Sequence, residues 1–180
     1  MANDRRTLVL VPPADVHPEI GRFLWMMEDV RAITKRCVEG ISPAALDWVP
    51  DPAANSIGSL LYHIAGVEVG WLYEEALAQP YPDEIVALFP YEDRDASGHL
   101  TVVRGVSIAE HLARLDAARA HFFAAYGAMT LEEFRYARPM PKYDVTPEWI
   151  AYHLIEHEAG HRGELATTRT LAEIALGERS

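Results

Sequence analysis

The chain has 180 residues, 49% of them apolar and 24% charged, which is the composition of one globular domain with a continuous core rather than of a disordered segment. Its net charge is −11, with 27 acids against 16 Lys and Arg, and no basic stripe with interleaved aromatics occurs, so the sequence argues against a nucleic-acid partner. Cys37 is the single cysteine, which excludes an internal disulfide, and its place on an apolar stripe predicts a buried thiol.

In chain order, residues 1–16 read as an extended arm and residues 17–180 as one domain. The apolar run within Arg5–Pro13 is short and cut by two prolines, so it fits neither a secretory signal nor a membrane span, and a cytoplasmic protein is expected. A first long helix is predicted from Pro18, with Ile20, Phe23, Leu24, Met27, Val30, Thr34 and Cys37 on one face and Gly40 beyond its end. Ser42-Pro43 caps a short helical turn carrying Trp48, and Pro50–Asn55 reads as a linker. Ser56 or Asn55 then caps a second long helix through about Ala78, striped by Ile57, Leu60, Leu61, Ile64, Val67 and Trp71, with His63 pointing inward. Gly58, Gly66 and Gly70 each cost roughly 1 kcal/mol of helix propensity, which suggests close approach of another element to that face.

From Gln79 to Gly105 the periodicity breaks at Pro80, Pro82 and Pro90, and an irregular connection is expected, with strand character at His99–Val103. Ser107-Ile-Ala-Glu110 is a capping box opening a third helix to about Tyr126, and Thr130–Glu133 repeats it for a short one. Thr146-Pro147-Glu148 opens the last helix, which runs to about Ala175 before Gly177. The prediction is all-α: a four-helix bundle with a long crossover between its second and third helices and short extra helices.

The last helix holds His153, His157 and His161 within nine residues. Ile150, Leu154, His157, His161, Leu165 and Thr168 recur at three- or four-residue steps, so they are expected to share the inward face. Histidines four apart can aim two imidazole nitrogens at one point, as metal ligation requires. His153 and His161 lie roughly 12 Å apart along the axis, while Zn–N bonds are about 2 Å. At most an adjacent pair can therefore serve one ion. His63 is the best third ligand and His111 the next. A single inward histidine is more often a hydrogen-bonded core residue than a ligand, and it is the combination of three positions that favours metal. His17, His99 and His121 read as surface or structural, and His153 as a helper of the site or plain helix surface.

The same helix spells H-E-x-x-H at His157–His161, with Glu158 as general base of a zinc protease, and H-x-x-E-H at His153–His157. The longer zinc-protease form fails at Glu164 and Thr167, and only 19 residues follow His161 to supply a glutamate ligand. A protease is therefore the second reading. A non-catalytic bundle that binds an ion or dimerises is the third.

Two blocks resemble the DinB-like (damage-inducible) superfamily of metal-dependent enzymes. One is Trp48–Trp71, similar to that family's Ser-Ile-Gly-x-Leu-x-x-His-Ile-Ala block with a trailing Trp. The other is Thr146–Glu164, similar to its closing His-x-x-x-His-Arg-Gly block. The resemblance spans most of residues 17–176. It implies a four-helix bundle and a metal, zinc or nickel, held by His63, His157 and His161. It also implies a small-molecule substrate, with dimers common among similar proteins, whose known activities include thiol-dependent S-transfer and a maleylpyruvate isomerisation that uses a low-molecular-weight thiol. No membrane partner is expected. Beside such a metal, an open coordination position would generate a nucleophile from water or a thiol at neutral pH. Glu164, one turn past His161, is a candidate base or imidazole orienter, and Glu158 a weaker one.

Overall fold

Side-chain caps set where the helices of this computed structural model start; it describes residues 5, 7–51 and 54–179. Residues 1–4 and 6 of the expected arm, and Pro52 and Ala53 of the expected linker, lie outside the described residues. His17 accepts from the Glu19 N–H and opens α1 (Pro18–Cys37). Ser42 opens the short α2 (Pro43–Asp47), and Ser56 rather than Asn55 caps α3 (Ile57–Gly70). Both capping boxes form, Ser107/Glu110 ahead of α5 (Ile108–Gly127) and Thr130/Glu133 ahead of α6 (Leu131–Arg135). Thr146 caps α7 (Pro147–Ala175), and Gly177, at φ 70°, follows its end. Each of these caps satisfies an N–H that the first helical turn leaves without an intrahelical partner.

The second long helix changes character after Gly70. It widens into π-helical turns over Trp71–Ala76, closed by the Leu77 N–H bonding to Leu72 O, and stops at Ala78, whose φ of 50° is left-handed. Single π turns inside helices recur at functional sites. Here the turn buries Leu72, Tyr73 and Ala76 and leaves Trp71 against α7, its ring 5.5 Å from that of Trp149.

α1 packs on α7 and α5, and α3 packs on α5 and α7, which closes a four-helix ring with α1 and α3 on one diagonal. Cross-contacts give the directions. Arg169 near the end of α7 donates to Cys37 O at the end of α1, so these two run the same way. Gly58 lies against His111, and Glu68 pairs with Arg119, so α3 and α5 also run together, opposite to the first pair. Two consecutive parallel helices require the chain to travel back along the bundle, which is what residues 79–107 do.

That crossover differs from the expectation in two ways. It contains a helix, α4 (Asp83–Leu88), because Pro82 at its start and Asp83 and Glu84 in its first turn favour a helix N-terminus; the neighbouring prolines read in the sequence only as breakers. The strand expected at His99–Val103 is absent: one isolated bridge joins Arg94 and Leu100. The segment instead lies on α3, burying Leu100 and Val103, while Val103 N–H donates to Ser59 Oγ at 3.0 Å. A two-residue antiparallel ribbon, β1 (Arg138–Pro139) with β2 (Asp144–Val145), also forms ahead of α7. Of the three glycines on α3, Gly58 is the one that close packing demands, since a Cβ there would stand 3.2 Å from the His111 ring.

At mid-bundle the apolar core is interrupted by four charges, one from each long helix: Arg31, Glu68, Arg119 and Glu158, each at least 95% buried. Arg31 donates to Glu158 at 2.8 Å and Glu68 at 2.6 Å; Arg119 donates to Glu68 at 2.6 Å and Glu158 at 3.0 Å. Remaining guanidinium N–H groups reach Leu115 O and Met27 O. Burial alone would raise the Glu68 carboxyl, but Arg119 and Arg31 outweigh it and hold the pKa below the ordinary value. Burial likewise works against charge on Arg119, and Glu68 and Glu158 more than offset it. Two positive and two negative groups, with nearly every donor placed, make a neutral closed network that fixes the relative register of all four helices. Cys37 sits at the core's edge and is half-buried rather than buried.

Candidate metal centre

α3 and α7 run antiparallel, so the second turn of α3 meets the middle of α7. His63, one turn after Leu60 and beside Ile64, is held at 4% exposure there. Across the seam stand His157 and His161, one helical turn apart. The three rings are mutually edge-on, with centroids 5.0 Å apart for His63–His157 and His63–His161 and 4.5 Å for His157–His161. One nitrogen from each lies within 4.8 Å of the others, and the Nε2 atoms of His63 and His157 are 3.1 Å apart. Ligand nitrogens on a tetrahedral zinc ion stand about 3.3 Å apart for bonds of about 2 Å. The sequence-predicted trio is thus brought together, and its spacing fits such an ion.

The protonation of the two α7 rings fits as well. His157 is pushed down to about 3 by burial first, then by the neighbouring His161 and His63. His161 is also lowered, by burial, against the opposing pull of Glu164. Imidazoles that stay neutral at pH 7 keep the lone pairs a metal needs. His63 Nδ1–H donates to Asp93 Oδ1 at 2.7 Å, which fixes the ring and leaves Nε2 turned to the other histidines. His161 Nδ1 is shielded from water and has no hydrogen-bond partner among the described residues; Glu164 Oε1 stands 3.4 Å away but is not aligned for a bond.

Of the stripe expected on α7, Ile150, Leu154, Leu165 and Thr168 are buried as read, but its middle differs. Ile150, Ala151, Leu154, Glu158, Leu165, Thr168 and Ala172 are buried, and His157 and His161 lie at the edge of that face. The histidines therefore sit at the α3–α7 seam, within reach of solvent, and Glu158 takes the central position. This corrects the reading of Glu158 as a candidate base. Its Oε1 accepts from Arg31 and its Oε2 from Arg119, and at 2% exposure the carboxylate is out of a substrate's reach. The Glu164 side chain is 54% exposed and faces His161.

The other histidines are placed elsewhere. His111 is buried against Arg114, whose guanidinium lies 3.3 Å from Nδ1, and it does not join the trio. His121 pairs with the Tyr73 hydroxyl at 2.6 Å, His17 caps α1, and the His99 side chain is exposed. His153 stacks on Trp149 and stands edge-on to Trp71, both at 5.0 Å, with the His157 ring 5.9 Å further along. Asp93 is the residue that sequence reasoning missed. It lies in the irregular crossover, where no periodicity points to it. Arg31, Glu68 and Arg119 carried a visible signal, each interrupting an apolar stripe at a three- or four-residue step.

The family model of the DinB superfamily matches residues 26–165, and the chain belongs to that superfamily. A comparison with curated proteins finds no match. Among the described residues no helix is long and apolar enough to cross a membrane.

Proposed function

We propose that this DinB-superfamily chain is a metal-dependent enzyme acting on a small molecule, with His63, His157 and His161 as the ligands of a divalent ion, zinc or nickel. The observation that carries the reading is the convergence of three imidazole nitrogens from two helices within 4.8 Å, one of them oriented from behind by Asp93. A three-histidine set leaves a coordination position open, and such an ion supplies the Lewis acidity that makes a nucleophile of water or a thiol at neutral pH. The chain's own residues divide the remaining work. Asp93 holds the His63 tautomer and ring plane. Glu164, exposed beside His161, is the carboxylate with free lone pairs at the mouth of the site and serves as proton acceptor or as a partner for the His161 ring. Trp71, Trp149 and His153 form the apolar wall next to His157, which limits water there.

Transfer involving a low-molecular-weight thiol is the reaction class that fits this arrangement. A thiol needs only an open position and a proton acceptor, and no peptide-binding strand is required. The engagement of Glu158 with two arginines speaks against the protease reading, which needs that carboxylate at the metal. Homodimerisation is part of the proposal on the family's habit alone.

The test is metal content of untagged protein by elemental analysis beside His63→Ala and His161→Ala. About one equivalent in the wild type, lost in both variants with helical circular dichroism retained, is the expected result. Metal retained in His63→Ala would remove the three-histidine centre, and no metal in replete medium would remove the enzyme reading.

A further inference from the structure

A cavity of about 500 Å³, large enough for a small organic molecule, lies between α3 with its π turns and the crossover. Gly66 on its wall is one turn past His63. Two further lining residues reach the histidine seam: Asp93 orients His63, and the Trp71 ring stands 5.0 Å from His153. The cavity and the metal site are therefore neighbours that share walls. From the crossover, α4 contributes Ile85 and Val86, and Phe89 follows.

The polar groups of the wall are mostly engaged already. The Tyr62 hydroxyl donates to Tyr91 O at 2.6 Å and accepts from the Tyr91 N–H at 3.0 Å. Glu74 accepts from the Tyr81 hydroxyl, Glu75 from the Tyr143 hydroxyl at 3.0 Å, and Asp93 from His63. Glu92, the remaining acid, is exposed. What the wall has left to offer a ligand is largely carbon: the rings of Trp71, Tyr81, Phe89 and Tyr91 and the side chains of Val67 and Val86. Val86 and Tyr91 are each more than half exposed, so this carbon lining opens to solvent.

The α3 wall carries a second, independent sign. Gly66 and Gly70 lie four residues apart on one face, and neither has the positive φ that reserves a position for glycine. A Cβ at Gly66 would meet Asp93 Oδ1 at 3.7 Å and the Phe89 ring at 3.8 Å; one at Gly70 would meet only the Tyr81 hydroxyl, at 3.8 Å. These are ordinary contact distances, so protein packing does not demand glycine here as it does at Gly58. Glycine weakens a helix relative to alanine. Two of them facing a cavity give up helix stability and leave a bare strip of backbone that a flat ligand can approach closely.

We propose that this cavity holds an uncharged aromatic group of the substrate, laid along Gly66 and Gly70 and flanked by the rings of Trp71, Tyr81 and Phe89. Ring-on-ring contact favours such a group, and the lining acids disfavour an anionic one. The assignment deepens the metal-enzyme reading and rests on it for the role of the bound group as part of a substrate. The rest of the molecule would extend past Asp93 and Trp71 to the histidine seam.

Calorimetric titration of the full chain with 2-naphthylmethanol tests this, with 2-naphthoate as its anionic counterpart. The alcohol is expected to bind at one site, about tenfold or more tightly than the carboxylate. Gly70→Ala puts a methyl group where the ring would lie and should weaken the alcohol about tenfold, while its melting temperature does not fall. Gly160→Ala, on the exposed face of α7, makes the same change of helix propensity away from the cavity and should leave affinity unaltered. Affinity unaltered in both Gly66→Ala and Gly70→Ala would overturn the assignment. So would naphthoate binding as tightly as the alcohol, a result that depends on no variant folding correctly. Zinc content measured on the same samples separates the two readings. No binding by protein that holds zinc overturns the cavity assignment alone; binding by protein that holds none in replete medium supports the cavity and removes the metal centre.

Discussion

His63 Nδ1 and Asp93 Oδ1 stand 2.7 Å apart across 30 residues of chain, so the crossover reaches back to hold a ring on the helix it has just left. The contact gives the long connection a purpose beyond covering distance: it fixes which His63 nitrogen faces α7. Removing a carboxylate that orients a metal-bound imidazole typically lowers metal affinity by about 10- to 100-fold. Asp93→Ala should show a loss of that size in competition with a chromophoric chelator. Asp93→Asn should lose less, because its amide oxygen can still accept from Nδ1–H. Helical circular dichroism should be unchanged in both, since the Asp93 side chain is 37% exposed. Affinity equal to wild type in Asp93→Ala would mean that packing alone orients His63.

Glu158 is the residue on which the two sequence readings of α7 part. In the structure it closes the buried network with Arg31 and Arg119. Breaking a buried network by neutralising one member leaves uncompensated charge, at a cost on the order of 3–5 kcal/mol. Urea unfolding of Glu158→Gln should show a loss in that range, against less than about 0.5 kcal/mol for Glu164→Gln at its exposed position. A folded, fully stable Glu158→Gln that loses only an activity would restore the carboxylate to catalysis.

His111 makes stability depend on pH. Burial and the neighbouring Arg114 depress its pKa from 6.5 to about 4 in the folded protein. The unfolded chain therefore takes up this proton first as pH falls. Stability associated with the neutral ring is complete above about pH 6.5, falls between 6.5 and 4, and levels off below the folded value. A difference of that size corresponds to at most ~3 kcal/mol. In chelator-treated protein, His111→Gln should flatten the decline of stability over this window by about one proton's worth relative to wild type. An identical slope would show that the His111 ring charges without opposition.

Much of the architecture was legible because its determinants are local. Ser56, the Ser107/Glu110 box, Thr146-Pro147 and Gly177 act on N–H or C=O groups a few residues away, so the helix limits follow from short stretches of sequence. The histidine pair was legible for the same reason, since four residues is one turn. The chain by itself thus determined an all-α bundle and two of three converging imidazoles, and the stripe around His63 pointed to the third.

What the tertiary structure decided was which groups meet across elements. That α7 buries Glu158 and leaves His157 and His161 at the seam depends on how it is rotated against α1 and α3, because an apolar pattern fixes the centre of a face more firmly than its edges. Asp93 lies in a segment without periodicity, and its meeting with His63 follows from α3 and α5 running in the same direction, which forces the chain back past the second turn of α3. Arg31, Glu68 and Arg119 each interrupt an apolar stripe, but their pairing with one another and with Glu158 required the four helices to be in register. Periodicity tells which way a side chain points, and only the packed bundle tells what it finds there.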